Sequence, residues 1–290
     1  MRLRKSSLPE GWYPKNAGDI FRFLSEFAIG ANDTTVRAVI APHAGWSYSG
    51  GIAAKAVARL DGKADTLAVI GGHLPAGRGP LFAMEDSVET PLGEMPMDAE
   101  LRAAMIGEIG GREDRFPDNT VEVLLPMARF FFPKASLLWL RLPADMSAFK
   151  AGGILAAVAR GAGRKLAVLA SADLTHYGRG YGFAPMGTGP EALRWVREVN
   201  DRRLLDAVVS GDPAAALERA ETEHSTCSAG AMLGAMGFAR AMGTGPARVI
   251  EYGAGSDAEK DRPPEAFVGY AAVAFGGTGE PGGWDRTTGP

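Results

Sequence analysis

The chain predicts a single α/β domain in which helices flank a largely parallel or mixed central sheet. Two observations carry this. Short apolar runs alternate with helix-patterned runs along nearly the whole length. The apolar runs are continuous rather than alternating, as in strands covered by helices on both faces. No internal repeat at fixed period competes with this reading. Its 290 residues suit one large α/β domain, and 46% hydrophobic residues supply a sizeable core. The domain is expected over residues 1–276, followed by a flexible Gly/Pro-rich tail over 277–290.

The elements follow in order. "DIFRFLSEF" places Ile20, Phe23, Leu24 and Phe27 on one helical face. "TVRAVIAPH" reads as a strand, "GGIAAKAVARL" as a helix and "DTLAVIGGH" as a second strand, which together make a βαβ unit. "DAELRAAMIGEI" and "TVEVLLPMARFFF" read as helices, and "SLLWLRL" and "KLAVLASADLTH" as strands. "EALRWVREVNDRRLLDAVVS" reads as one long helix. "CSAGAMLGAMGFARAM" reads as a small-residue helix with Cys227 at or just before its start, and "ARVIEYGAGS" and "EAFVGYAAVAF" close the sheet.

Composition excludes several function classes. A net charge of -3, with no Lys/Arg cluster, argues against nucleic acid. No apolar run reaches membrane-spanning length, and the basic N-terminus leads into no signal-type apolar stretch, so no membrane partner and a cytoplasmic location are expected. A single cysteine excludes an internal disulfide and a multi-cysteine zinc site. The glycines of "GWSYSGG" do not form G-x-G-x-x-G, and GK[ST] and G-x-S-x-G patterns are absent, which removes support for nucleotide-driven and serine-hydrolase chemistry.

Of the four histidines, His43, His73 and His176 each follow an apolar strand, at the edge where open α/β sheets bind ligands. Neutral imidazole is a common metal ligand, and two imidazoles with one anion suit a catalytic divalent ion. Cys227 at a helix N-terminus is a candidate for that anion, because the helix favours thiolate; the competing reading is a small buried hydrophobe. Asp173 and His176, three apart in "SADLTH", are candidates for acid/base work, with Asp173 alternatively a turn or N-cap residue. Glu122 either faces solvent or enters the pocket. His224, among polar residues, is expected in a loop or in a minor supporting role beside the site, and the sequence does not decide whether Arg78 or Arg141 near strand ends recruits an anion.

"APHAGWSYSG" resembles the "PHAGY-YSG" motif of the Memo family, whose bacterial members are also called AmmeMemoRadiSam system protein B. "GWYP", "GGH", "ETPLGEMPMD", "NTVEVLLP", "ASADLTHYG", "TCSAG" and "YGAGSD" follow in the family's order, from about Gly11 to about Phe275. The resemblance implies a fold similar to class III non-haem iron extradiol dioxygenases. It also implies a metal, iron(II) or copper, held by His43, His73 and Cys227, with Asp173 and His176 beside it. The chain departs from the family at Asn119, where a histidine is usual, at Trp46 for a tyrosine, and at Ser228 for a glycine, and Trp46 is the expected point in its stretch where the pocket differs from that of relatives.

The function expected from this resemblance is a mononuclear non-haem iron or copper enzyme of dioxygenase type. It would act on an unknown small molecule with catechol-like or other chelating groups, and His176 would be the acid or base. A non-catalytic metal- or peptide-binding module of an AmmeMemoRadiSam system is one alternative, and a metal-dependent hydrolase another. The family name further implies association with AMMECR1-like and radical SAM proteins.

Overall fold

A computed structural model describes residues 2–28, 35–258 and 264–277. The expected tail lies, apart from Gly277, outside the described residues. The main sheet contains nine strands: β1 (Ala38–Ala41), β2 (Thr66–Leu74), β3 (Leu81–Phe82), β4 (Arg112–Glu113), β5 (Ser136–Pro143), β6 (Leu166–Ser171), β7 (His176–Tyr177), β8 (Ala247–Ala254) and β9 (Phe267–Phe275). Its centre runs β1, β6, β2, β5, all parallel. Antiparallel β9 lies beside β1 and also pairs with β8 and β7, while β3 and β4 extend the far side. Leu3–Arg4, Ser87–Val88 and Met95–Pro96 form a separate small sheet.

The continuous apolar runs are explained by what covers the sheet. Ile40, Ile70, Leu138, Val168 and Val273 point into one core layer, and their chain neighbours Val39, Val69, Leu137, Leu169 and Ala272 into another. A strand residue and its successor face opposite sides, so a strand covered twice must be apolar at every position. In chain order the helices are α1 (Ala17–Ser25), α2 (Gly51–Val57), α3 (Ala99–Ile109), α4 (Asn119–Glu122), α5 (Leu125–Phe131), α6 (Met146–Gly161), α7 (Pro190–Trp195), α8 (Asp201–Val209), α9 (Pro213–Glu223) and α10 (Ala229–Met242). Helices α3, α6, α8 and α10 cover the first layer, and α1, α2 and α5 the second.

Several elements differ from expectation. The 120–132 helix divides into α4 and α5, with Pro126 in the first turn of α5; proline has no N–H to continue an earlier helix but suits a first turn. The strand at 35–43 shortens to β1, ending before Pro42. The 191–210 helix carries a π-turn at Val196–Asn200 between α7 and α8. Helices α6 and α9 were not expected. Their alanine-rich stretches, with glycines as well in α6, show little amphipathic pattern, although Asp145 and Asp212 cap both N-termini through side-chain oxygens. No helix among the described residues is long and apolar enough to cross a membrane.

Helices α6 and α10 meet backbone to backbone. A Cβ at Gly152 would strike the Gly234 carbonyl oxygen, and one at Gly237 would strike that of Phe149. Neither obstacle is a flexible side-chain end, so the helices would have to separate. Gly237→Ala is therefore expected to destabilise the protein by about 1–3 kcal/mol, despite alanine's better helix propensity. Urea denaturation checks this, and an unchanged or raised midpoint would refute the tight crossing.

Candidate metal centre

The site lies at the carboxyl ends of three neighbouring parallel strands. Ala41 of β1 pairs with Ser171 of β6, and Ala170 of β6 pairs with Ile70 of β2. His43 therefore emerges two residues beyond β1, Asp173 two beyond β6, and His73 at the end of β2, all along one sheet edge. The fourth side chain arrives from another direction. Ser228 precedes α10, and Gly72 and Gly230 let that helix start press onto the strand ends. A Cβ at Gly72 would strike Ser228, and one at Gly230 would strike the carbonyl oxygens of Leu142 and Pro143. Glycine is required at both by close approach, and the result is Cys227 beside the histidines.

One donor atom from each of His43, His73 and Cys227 lies within 4.8 Å of the other two. Cys227 Sγ is 3.3 Å from His43 Nε2. The other His43 nitrogen, Nδ1, is 3.0 Å from Ser171 Oγ, which fixes the ring. The two imidazoles meet edge to face, with centroids 5.1 Å apart. Asp173 is buried beneath them: its Oδ1 accepts the His43 backbone N–H at 2.7 Å, and its Oδ2 lies 3.8 Å from His43 Nε2 and 3.9 Å from His176 Nε2. His176 Nε2 is itself buried and without a hydrogen-bond partner, and Tyr181 packs edge-on against its ring.

Burial opposes ionisation of the Cys227 thiol, but the His43 charge, with the His176, His43 and His73 rings around the sulfur, holds it well below the ordinary thiol range. Burial likewise opposes protonation of His43, yet Asp173 and Cys227 raise it. For His73, burial is outweighed by Asp118 and Cys227, which push the imidazole up to about 10. Asp173 is pushed up by burial, against the pull of His43. Charge on the thiol and charge on the imidazoles thus favour one another beside one buried carboxyl, and a divalent ion would compete with protons for these donor atoms.

A cavity of about 610 Å³ opens above the cluster, lined by His43, His73, Asp173 and His176 together with Trp12, Tyr48, Asn119, Tyr181 and Tyr270. Burial raises the Tyr270 phenol, so it stays protonated and able to donate a hydrogen bond.

Two sequence expectations, for Glu122 and Trp46, are corrected, and the arginines near strand ends find their places. Arg141 binds no outside anion: it is 5% exposed and pairs with Asp114 and Asp118, at 3.2 Å each. Arg78 is exposed on the turn after β2, and neither arginine lines the cavity. Glu122 neither faces solvent nor enters the pocket. It is buried and accepts the Ser7 and Leu8 backbone N–H groups and the Tyr13 hydroxyl at 2.8–3.0 Å, pinning the N-terminal segment. Trp46 is a core residue, its indole N–H bound to the Val123 carbonyl at 3.0 Å, and Tyr48 is the aromatic of that stretch that lines the cavity. Asn119 donates to the His43 carbonyl at 3.1 Å, so its amide braces that turn. His224 is an exposed residue ending α9, as a loop position implies.

Sequence reasoning missed Ser171, Asp118 and Asp201. Asp118 directly precedes Asn119 in a motif already singled out, but nothing in its spacing links it to His73.

Residues 4–274 match the family described as Memo-like protein. The chain belongs to the Memo family. Among its relatives, a MEMO1 family protein of Thermococcus kodakarensis is 28% identical over 289 residues, covering 91% of this chain and 98% of that one. A MEMO1 family protein of Methanothermobacter thermautotrophicus is 29% identical over 251 residues, covering 82% and 84%. The solved structure of the uncharacterized protein JW3007 from Escherichia coli K12 resembles it in fold. The TM-score is 0.50 at 14% identity, over 83% of this chain and all of that one.

The segment carrying Asp173 and His176 has its own support. Asp201, fully buried, accepts the Thr175 N–H at 3.1 Å, the Thr175 hydroxyl, and the Tyr252 hydroxyl at 2.7 Å. The preceding Asn200, at the end of the π-turn, donates to Thr175 Oγ1 at 2.8 Å. Burial pushes the Asp201 carboxyl up to about 6, against these hydrogen bonds and Arg197. A raised carboxyl means that the folded state holds the proton more tightly than the unfolded chain. The contribution of this carboxyl to stability is therefore fully present below 3.8 and is lost as pH rises through about 6, by about 3 kcal/mol in all. Between pH 4 and pH 7 the wild type is expected to lose about that much relative to Asp201→Asn, which has no such proton. Parallel denaturation of both proteins across this range measures it, and a pH-independent difference would refute the assignment.

Proposed function

We propose that this chain binds a single divalent metal ion, iron(II) foremost and copper second, through His43, His73 and Cys227. On this reading it is a dioxygenase-type oxidoreductase acting on a small molecule held in the adjoining cavity. The observation that carries the reading is the meeting of two imidazoles and a thiol, one donor atom each, within 4.8 Å where the ends of parallel β1 and β2 meet the start of α10. The donor set fits. Imidazole suits iron, copper and zinc, thiolate suits the softer states of these metals, and three protein ligands leave coordination positions open. When bound, such an ion would supply a redox-active Lewis acid with room for substrate and dioxygen.

The protein's own residues supply the rest. His176 lines the cavity and its buried Nε2 has no hydrogen-bond partner, so this ring would take a proton from a substrate hydroxyl and return it later. Asp173, 3.9 Å away, would stabilise the imidazolium so formed. Tyr270 offers a hydrogen bond, and Trp12, Tyr48 and Tyr181 give the cavity aromatic walls for a planar substrate. No lysine or arginine lines the cavity among the described residues, so a substrate of high negative charge finds no counter-ion besides the metal centre. Association with AMMECR1-like and radical SAM proteins belongs to the same proposal, and co-purification from cells tests it.

Protein purified without oxygen is expected to carry about one equivalent of metal, lost in His43→Ala and Cys227→Ser. His176→Gln is expected to keep the metal while slowing oxygen uptake with catechol-type substrates by about 10²–10⁴-fold. Wild-type protein that takes up no iron, copper or zinc would overturn the reading. Metal retention with ester or amide cleavage and no oxygen uptake would replace it with a hydrolase.

A further inference from the structure

His73 has a backbone φ of +56°, in the left-handed region that seldom holds a side chain outside glycine. What fixes it there reaches back into the protein. Its ring Nδ1 lies 3.1 Å from Asp118 Oδ2. Asp118 caps α4 with its other oxygen, Oδ1, which accepts the Thr120 N–H at 2.9 Å. The cap needs only that oxygen. Oδ2 is left for His73 and for a terminal nitrogen of Arg141 at 3.2 Å. Arg141 Nε donates to the carbonyl of Gly72, the residue just before His73, at 3.0 Å. Its other terminal nitrogen binds Asp114, which is buried and also accepts the Trp139 indole N–H at 3.0 Å. One buried guanidinium thus grips both the backbone leading into His73 and the carboxylate on its ring.

We propose that Asp118, braced by Arg141, is the positioning residue for His73: it takes the Nδ1–H and so presents Nε2 to His43 and Cys227. The inference rests on the metal reading above for its consequence, since a carboxylate on the remote nitrogen of a ligating imidazole fixes its tautomer and raises its basicity. Asp118→Asn is the informative change, because asparagine caps a helix as well as aspartate does and leaves α4 its cap. Its amide cannot both cap α4 through its oxygen and accept the Nδ1–H.

The test uses protein with ¹⁵N-labelled histidine and zinc(II) as a diamagnetic probe. In the wild type, His73 Nδ1 is expected to carry a slowly exchanging, downfield-shifted proton with Nε2 bound to zinc. Asp118→Asn is expected to remove that resonance and to weaken zinc binding by about 10–100-fold, without loss of the folded backbone spectrum. Where that variant does not fold, Arg141→Lys takes its place, with an upfield shift of the same proton expected. Wild-type zinc affinity with an unshifted His73 resonance in the folded variant would overturn the proposal. Failure of wild type to bind zinc, iron or copper would overturn the metal reading instead. The positioning role would then be decided in metal-free protein, by whether the Nδ1 proton depends on Asp118.

Discussion

The close approach of α10 to the strand ends is the constraint on which the site depends. Sheet topology alone brings His43, His73 and Asp173 to one edge, because β1, β6 and β2 are parallel neighbours. It supplies no thiol. Cys227 reaches them because Gly72 leaves room for Ser228 and Gly230 sits against the Leu142 and Pro143 carbonyl oxygens. Farther along, Gly152 and Gly237 let α10 lie directly on α6. The small-residue composition of α10 is therefore a packing requirement along its length, and the position of Cys227 follows from it. The family's usual glycine at position 228 is replaced here by a serine that the absence of a side chain on Gly72 accommodates.

So many ionisable groups in one buried place would be costly if left unpaired. Asp173 sits against His43 and near His176, and Asp118 lies between His73 and Arg141. Each ring nitrogen of His43 has its own neighbour, Ser171 on one side and Cys227 on the other. The exception is His176 Nε2, buried without a partner. In a cluster otherwise paired, an unsatisfied nitrogen facing a cavity is where an incoming molecule gains most by hydrogen bonding.

The fold class was legible because the physics that makes a strand apolar on both faces leaves its mark in the residues themselves. Ile40 and Val39 enter different core layers, and both must be hydrophobic. The histidines were legible because strand ends can be read locally. Helix α6 was not, since a helix packed through glycines against another has no apolar stripe to display. Asp118, Asp201 and the burial of Arg141 were hidden for a different reason. Their partners lie far along the chain, Asp118 being 45 residues from His73, and no local pattern encodes such a contact. The roles of Glu122 and Trp46 were misjudged on the same ground, because an acid in an apolar helix is explained only by the N-terminal segment that it holds.

The two halves of the site are fixed by separate means. His43, His73 and Cys227 are set by strand ends, the α10 start and the Asp118–Arg141 brace. The segment carrying Asp173 and His176 is set instead by pairing of β7 with β9 and by Asp201 gripping Thr175. The π-turn in the 190–209 helical stretch belongs to this second support. It ends at Asn200, and both Asn200 and Asp201 turn toward Thr175 rather than continuing a regular helical surface. A π-turn costs helix regularity, and such turns are found mostly where a side chain must be re-aimed for function. Here the re-aimed pair holds the residue next to His176. Disturbance of one support should thus leave the other standing, so the His43, His73 and Cys227 cluster and the segment carrying Asp173 and His176 can be perturbed separately.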